Sequence, residues 1–128
     1  MRQKIAEFYV KASGLKYTGY RTLTALSRGE TPGPQSSLGK LVGAAMRQEM
    51  AAFAIELQAQ AGALNDKSIC EDDAAWQSSY LGAPGGRIAG GTDEVMRNII
   101  AERVLGLPAE ARVDKDLAFE DIPTGPKG

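Results

Sequence analysis

The sequence predicts an all-α protein: an up-down helical bundle of two long and two shorter helices. Three observations carry this. Apolar or small residues recur in alternating three- and four-residue steps along two long stretches. Clusters of glycine and proline punctuate the chain between the periodic segments. No segment reads convincingly as a strand, and no internal repeat is present.

The first stripe is Ile5, Phe8, Ala12, Leu15, Gly19, Leu23 and Leu26, which predicts an amphipathic helix over about residues 2–28. Gly29-Glu30-Thr31-Pro32-Gly33-Pro34 breaks it, since prolines cannot continue a helix and glycines favour a turn. Ser36 or Ser37 is the expected N-cap of the second helix. Leu38, Val42, Met46, Met50, Phe53 and Leu57 form its expected inner stripe, running to about Ala63. A short link between long helices makes them antiparallel neighbours. Residues 64–72 read as a polar, acidic loop, with Asp72 or Asp73 expected to cap a short helix carrying Trp76, Tyr80 and Leu81. Ala83-Pro84-Gly85-Gly86 is expected to end that helix. Thr92 reads as the N-cap of the last helix, with Asp93 and Glu94 at its positive dipole end. Its apolar side is Val95, Met96, Ile99, Ile100, Val104 and Leu105, and Gly106 and Pro108 stop it. Residues 1–108 are thus one bundle and residues 109–128 an extended tail.

Composition bounds the chemistry. A chain of 128 residues is expected to bury roughly two-thirds of its unfolded surface. A net charge of −1 offers no bulk attraction to nucleic acid or an anionic membrane. No apolar run approaches the roughly 20 residues of a membrane span, and the charged N-terminus has no signal-peptide core. A single cysteine, Cys70, allows no intrachain disulfide, which fits a cytoplasmic setting. With no histidine, neither a Ser-His-Asp or Cys-His catalytic set nor the usual zinc sites can be built from this chain alone. Its chemistry must use carboxylates, hydroxyls, backbone groups or a cofactor.

The most specific stretch is Gly90-Gly91-Thr92-Asp93-Glu94-Val95-Met96-Arg97-Asn98-Ile99-Ile100-Ala101-Glu102-Arg103-Val104-Leu105-Gly106-Leu107-Pro108. It resembles the C-terminal signature of acyl-CoA dehydrogenases, in which a Gly-Thr pair at a helix mouth meets flavin and thioester. The resemblance covers residues 74–108 well and 37–64 more loosely. Trp76, Tyr80, Leu81 and Ile88 precede the glycines as in actinobacterial-type members, and Ala111-Arg112-Val113-Asp114-Lys115-Asp116 is similar to the tail of that branch. It implies the last part of the family's C-terminal four-helix bundle, beginning after the bundle's first helix. It also implies FAD-dependent α,β-dehydrogenation of an acyl-CoA, of fatty or sterol type, in which a carboxylate removes the α-proton while flavin takes the β-hydride.

Carried over residue by residue, Gly91 lies beside the thioester, and Thr92 and Glu94 contact FAD at the helix N-terminus. Gly90 occupies the position where much of the family carries its catalytic glutamate, so no catalytic residue is assigned. In one branch the base comes from an earlier bundle helix, which is expected to lie before Met1. A second family contact with FAD, a Gln-Ile-x-Gly-Gly-x-Gly run, corresponds to Glu56-Leu57-Gln58-Ala59-Gln60-Ala61-Gly62, where Gly62 is the good match. Glu56 there removes a donor and adds negative charge.

Plainer roles stand beside these. Paired glycines commonly just feed a helix. Asp93 and Glu94 serve as first-turn acids. Arg97 and Arg103 suit salt bridges or an interface, Trp76 and Tyr80 a core, and Met46 and Met50 core filling. Two functions compete: the C-terminal part of an acyl-CoA dehydrogenase, inactive alone and needing flavin-binding domains or a partner subunit, or a catalytically silent homologue acting as an interaction bundle. A flavin-dependent oxygenase relative keeps the same fold. Oligomerisation is expected on either reading.

Overall fold

A computed structural model describes residues 1–31, 33–109, 114, 117–122 and 125. Of the expected tail over 109–128, most of the Ala111–Asp116 stretch lies outside the described residues, as does Pro32 in the first break. Helix α1 spans Arg2–Ser27, α2 Ser36–Leu57, α3 Ala75–Ile88 and α4 Asp93–Ile99, with a wider π turn over Ile100–Val104 extending α4. No strand occurs among the described residues. This is the all-α up-down bundle expected.

Helix α2 is the hub, with α1, α3 and α4 all packed on it. Antiparallel directions follow from the contacts. Phe8 meets Phe53 with ring centres 5.9 Å apart, and Lys11 Nζ reaches Glu49 at 2.6 Å. On the other side Lys40 Nζ donates to the Gly86 carbonyl at 2.6 Å and Gln77 Nε2 to Gln58 Oε1 at 2.7 Å. Glu7 also pairs with Lys11, at 3.1 Å. That contact and Lys4 hold the Glu7 carboxyl below its usual range, while Glu49 and Glu7 push the Lys11 ammonium up.

The break after α1 closes as a Schellman turn. Gly29, at φ +75°, donates to Leu26, and Glu30 reaches back to Ala25 at 3.0 Å. Neither serine caps α2. Its N-cap is Gln35, already in helical conformation, and the Ser36 hydroxyl donates to the Gly33 carbonyl. Pro34 and Gln35 have begun the turn, so backbone carbonyls accept from the first N–H groups.

The buried faces differ from the apolar stripes. On α1, Phe8 is buried, and Lys4, Lys11, Leu15, Thr18, Thr22 and Ala25 are half-buried, while Ile5, Leu23 and Leu26 face solvent. Threonine is tolerated inward because the Thr18 and Thr22 hydroxyls donate to the carbonyls of Gly14 and Thr18, one turn back. On α2 the deepest residues are the small ones, Ala44 and Ala51, where a slim surface lets neighbouring helices approach. Leu38, Val42, Met46, Met50 and Phe53 are half-buried and Leu57 is exposed. Helix α2 stops at Leu57 rather than near Ala63. Ala59 turns left-handed at φ +49°, and a 3₁₀ turn over Ala59–Ala63 folds back on the helix end.

Asp72 and Asp73 do not cap α3. With Ala74 they form three successive left-handed residues, and the N-cap is Ala74, without a side-chain acceptor. Nor do Pro84, Gly85 and Gly86 end α3, which continues to Ile88. Proline removes one helical N–H, and packing on α2 with the Lys40 bond to Gly86 holds the remainder. Trp76 is half-buried and Tyr80 exposed, so only the first lines the interior.

The resulting surface is 9833 Å². A folded monomer of this mass exposes about 6,600 Å², and its unfolded chain about 19,700 Å². The chain therefore buries about half its unfolded surface rather than two-thirds. Among the described residues, the outer face of α1 leaves Tyr9, Val10, Tyr17, Tyr20 and Leu23 exposed.

Candidate helix-mouth site

The expected site residues gather where α3 ends and α4 begins, except one. Gly90 and Gly91 make the turn at φ +69° and +106°, conformations that favour glycine. A β-carbon on Gly90 would meet nothing within 4 Å, so this flank of the turn is open. One on Gly91 would stand 2.5 Å from Met96 Cε, so on this flank the turn lies against the flexible end of a buried methionine. Thr92 is the N-cap as expected, its hydroxyl accepting from the Val95 N–H at 3.3 Å. Glu94 is exposed and lies 3.7 Å from Arg97. Its own backbone N–H and then the Thr92 hydroxyl hold its carboxyl below the usual range.

Gly62 stands apart. It is buried in the turn after α2, and a β-carbon there would collide with the Ile55 carbonyl and lie 2.8 Å from Ile55 Cγ2. Close backbone packing accounts for a glycine at this position without a ligand.

Asp93 is the first-turn acid expected, and it also makes an ion pair. It is 5% exposed and accepts from Arg87, whose Nε and Nη2 both approach Oδ2, the Nε at 2.7 Å. Arg87 Nη1 donates to Gln48 Oε1 on α2 at 3.0 Å. These bonds hold the Asp93 carboxyl low and push the guanidinium up. Sequence reasoning missed Arg87 and Gln48 because ending α3 near Pro84 leaves Arg87 in a loop. A basic residue six positions before a first-turn aspartate was the available signal.

FAD, which the resemblance implies, finds a partial fit. The open flank at Gly90, the cap hydroxyl of Thr92 and the positive end of α4 suit an acceptor-bearing group. Gly62 offers no such cradle, being filled by Ile55. Among the described residues no group of metal-binding side chains occurs.

Comparison with known proteins places the chain in a family. The family model described as the acyl-CoA dehydrogenase C-terminal domain matches residues 1–105. The chain belongs to the acyl-CoA dehydrogenase family. It is 40% identical over 83 residues to acyl-CoA dehydrogenase IpdE1 of Mycolicibacterium smegmatis, covering 65% of this chain and 20% of that protein. It is 32% identical over 102 residues to IpdE1 of Mycobacterium tuberculosis, 75% of this chain and 26% of the relative. Against acyl-CoA dehydrogenase FadE34 of Mycobacterium tuberculosis it is 34% identical over 80 residues, 62% of the chain and 10% of the relative. The chain thus spans about a quarter or less of the curated relatives it matches. No solved structure matches it. No helix among the described residues is long and apolar enough to cross a membrane.

Proposed function

We propose that the chain supplies the C-terminal bundle wall of an FAD-dependent acyl-CoA dehydrogenase and is inactive by itself. The observation that carries this is the capped helix mouth, Gly91-Thr92 opening α4, within a family match over nearly the whole bundle. The mouth presents backbone amides and the Thr92 hydroxyl beside an open flank, where the thioester end of a substrate would be oriented. Bound flavin supplies the hydride acceptor for the β-carbon, balancing loss of the α-proton to a carboxylate. This chain's part is positional, because Gly90 has no side chain to take that proton.

A second reading, the silent interaction bundle, is favoured by Gly90 and by the excess exposed surface. One experiment separates the two. The tagged chain is expressed in its own cells and the recovered complex is assayed for flavin absorbance and acyl-CoA dehydrogenation. A yellow complex that turns over acyl-CoA, beside a colourless and inactive isolated chain, supports the first reading. A stable but flavin-free complex supports the second. A yellow, active isolated chain overturns both.

A further inference from the structure

The turn that carries Gly90 and Gly91 is short, rich in glycine and open on one flank, yet it is bracketed by charge. Arg87 lies in the last turn of α3, and Asp93 is the first residue of α4. Six positions separate them, and between them lie only Ile88, which closes α3, the turn residues Ala89, Gly90 and Gly91, and the cap Thr92.

All three guanidinium nitrogens of Arg87 are engaged, two with Asp93 Oδ2 and one with Gln48 Oε1. Beside it, Lys40 donates to the Gly86 carbonyl. The pair is therefore anchored to the hub helix α2, and the turn is spanned at its base. Asp93 is buried, and its Oδ1 has no hydrogen-bond partner. The Arg87 side chain is still 40% exposed, and an ion pair that keeps one partner in contact with water contributes modestly to stability. What it provides is one defined geometry.

We infer that Arg87 and Asp93 act as a positioning clamp, fixing the Gly90–Gly91 turn in the conformation that a thioester would meet. The inference rests on the proposed function for its ligand, though not for its geometry. Two glycines at positive φ have the widest conformational freedom of any residues. Without the clamp only the Met96 contact at Gly91 and the Thr92 cap restrain them.

The test is ¹⁵N relaxation on the full chain, comparing wild type with Arg87→Met, Asp93→Asn, the double variant and Arg87→Lys. In the wild type the Gly90 and Gly91 order parameters should approach the rigid value of about 0.85, falling to about 0.6 or lower in either single variant. The helices should keep theirs, and the double variant should be no looser than the singles. Arg87→Lys keeps the charge, folds most readily and should fall between. Unchanged order parameters at Gly90 and Gly91, or a fall spread evenly over all helices, would overturn the clamp. A C-terminal bundle that binds no acyl-CoA in its complex, yet has a rigid turn loosened by these variants, would sink the proposed function and leave the clamp standing.

Discussion

Gly62 backs onto the carbonyl of Ile55 so closely that no β-carbon fits between them. The contact seals the turn where the chain leaves α2, and it makes glycine a packing requirement there. Gly62→Ala should destabilise the isolated chain by about 1–3 kcal/mol, in the range of overpacked sites. Thermal unfolding without flavin would show it. A variant as stable as wild type would return Gly62 to a ligand-binding role.

The two glycines of the helix mouth should respond differently. Gly90 has space and pays only for its left-handed backbone, so Gly90→Ala or Gly90→Glu should cost about 1–2 kcal/mol. Gly91, at φ +106°, lies outside the left-handed region that other residues tolerate, so Gly91→Ala should cost about 2–3 kcal/mol even with the Met96 methyl swung aside. Denaturant unfolding of the three variants tests the order. Gly90→Glu should also leave the isolated chain without dehydrogenase activity, since a carboxylate alone does not bring a hydride acceptor.

Asp93 gives a pH signature. Arg87 lowers its folded carboxyl value, whereas the unfolded chain has the ordinary value near 3.9. The pair's contribution is therefore complete above that ordinary range and is lost as pH falls through the lowered folded value. Wild type should lose stability below about pH 4 more steeply than Asp93→Asn. Carboxyl carbon shifts of Asp93 followed through acid give the folded value directly, and an ordinary value would contradict the pairing.

Self-association should accompany folding. The exposed face of α1 places Tyr9, Val10, Tyr20 and Leu23 in water, and apolar surface of this extent is more typical of an interface. Sedimentation velocity over a concentration series should show species larger than the monomer. Tyr9→Lys together with Leu23→Lys should shift the distribution toward monomer. A clean monomer at high concentration would contradict the expectation.

Helix existence, the α1 ends, the antiparallel order and the Thr92 cap were all legible from periodicity and from turn chemistry. The inward faces were not. Hydropathy placed Ile5 and Leu23 inside, but the side of α1 that packs is set by Phe8 meeting Phe53 and by Lys11 meeting Glu49. A lysine pair has no hydropathic signature, and a long stem can cover apolar surface while its charge reaches a partner. Pro84 misled for a related reason: a local breaker was outweighed by packing against α2. At the site, Gly91 and Thr92 were readable because backbone and cap chemistry leave marks in sequence. Arg87 was hidden behind the misplaced helix end.

The π turn at Ile100–Val104 closes with Leu105 donating to Ile100, five residues back. Had α4 kept 3.6 residues per turn, Arg103 would follow Met96 at seven positions and come round to the same side. The wider turn delays the winding by about one residue, so Arg103 stays in solvent while Val104 is half-buried. The end of the chain's most specific stretch is thus out of phase with its beginning. Removing one residue between Ile100 and Val104 would restore ordinary winding with the valine seven positions after Met96, in the place it already fills. It is forcing ordinary winding on the full sequence that would rotate a guanidinium there.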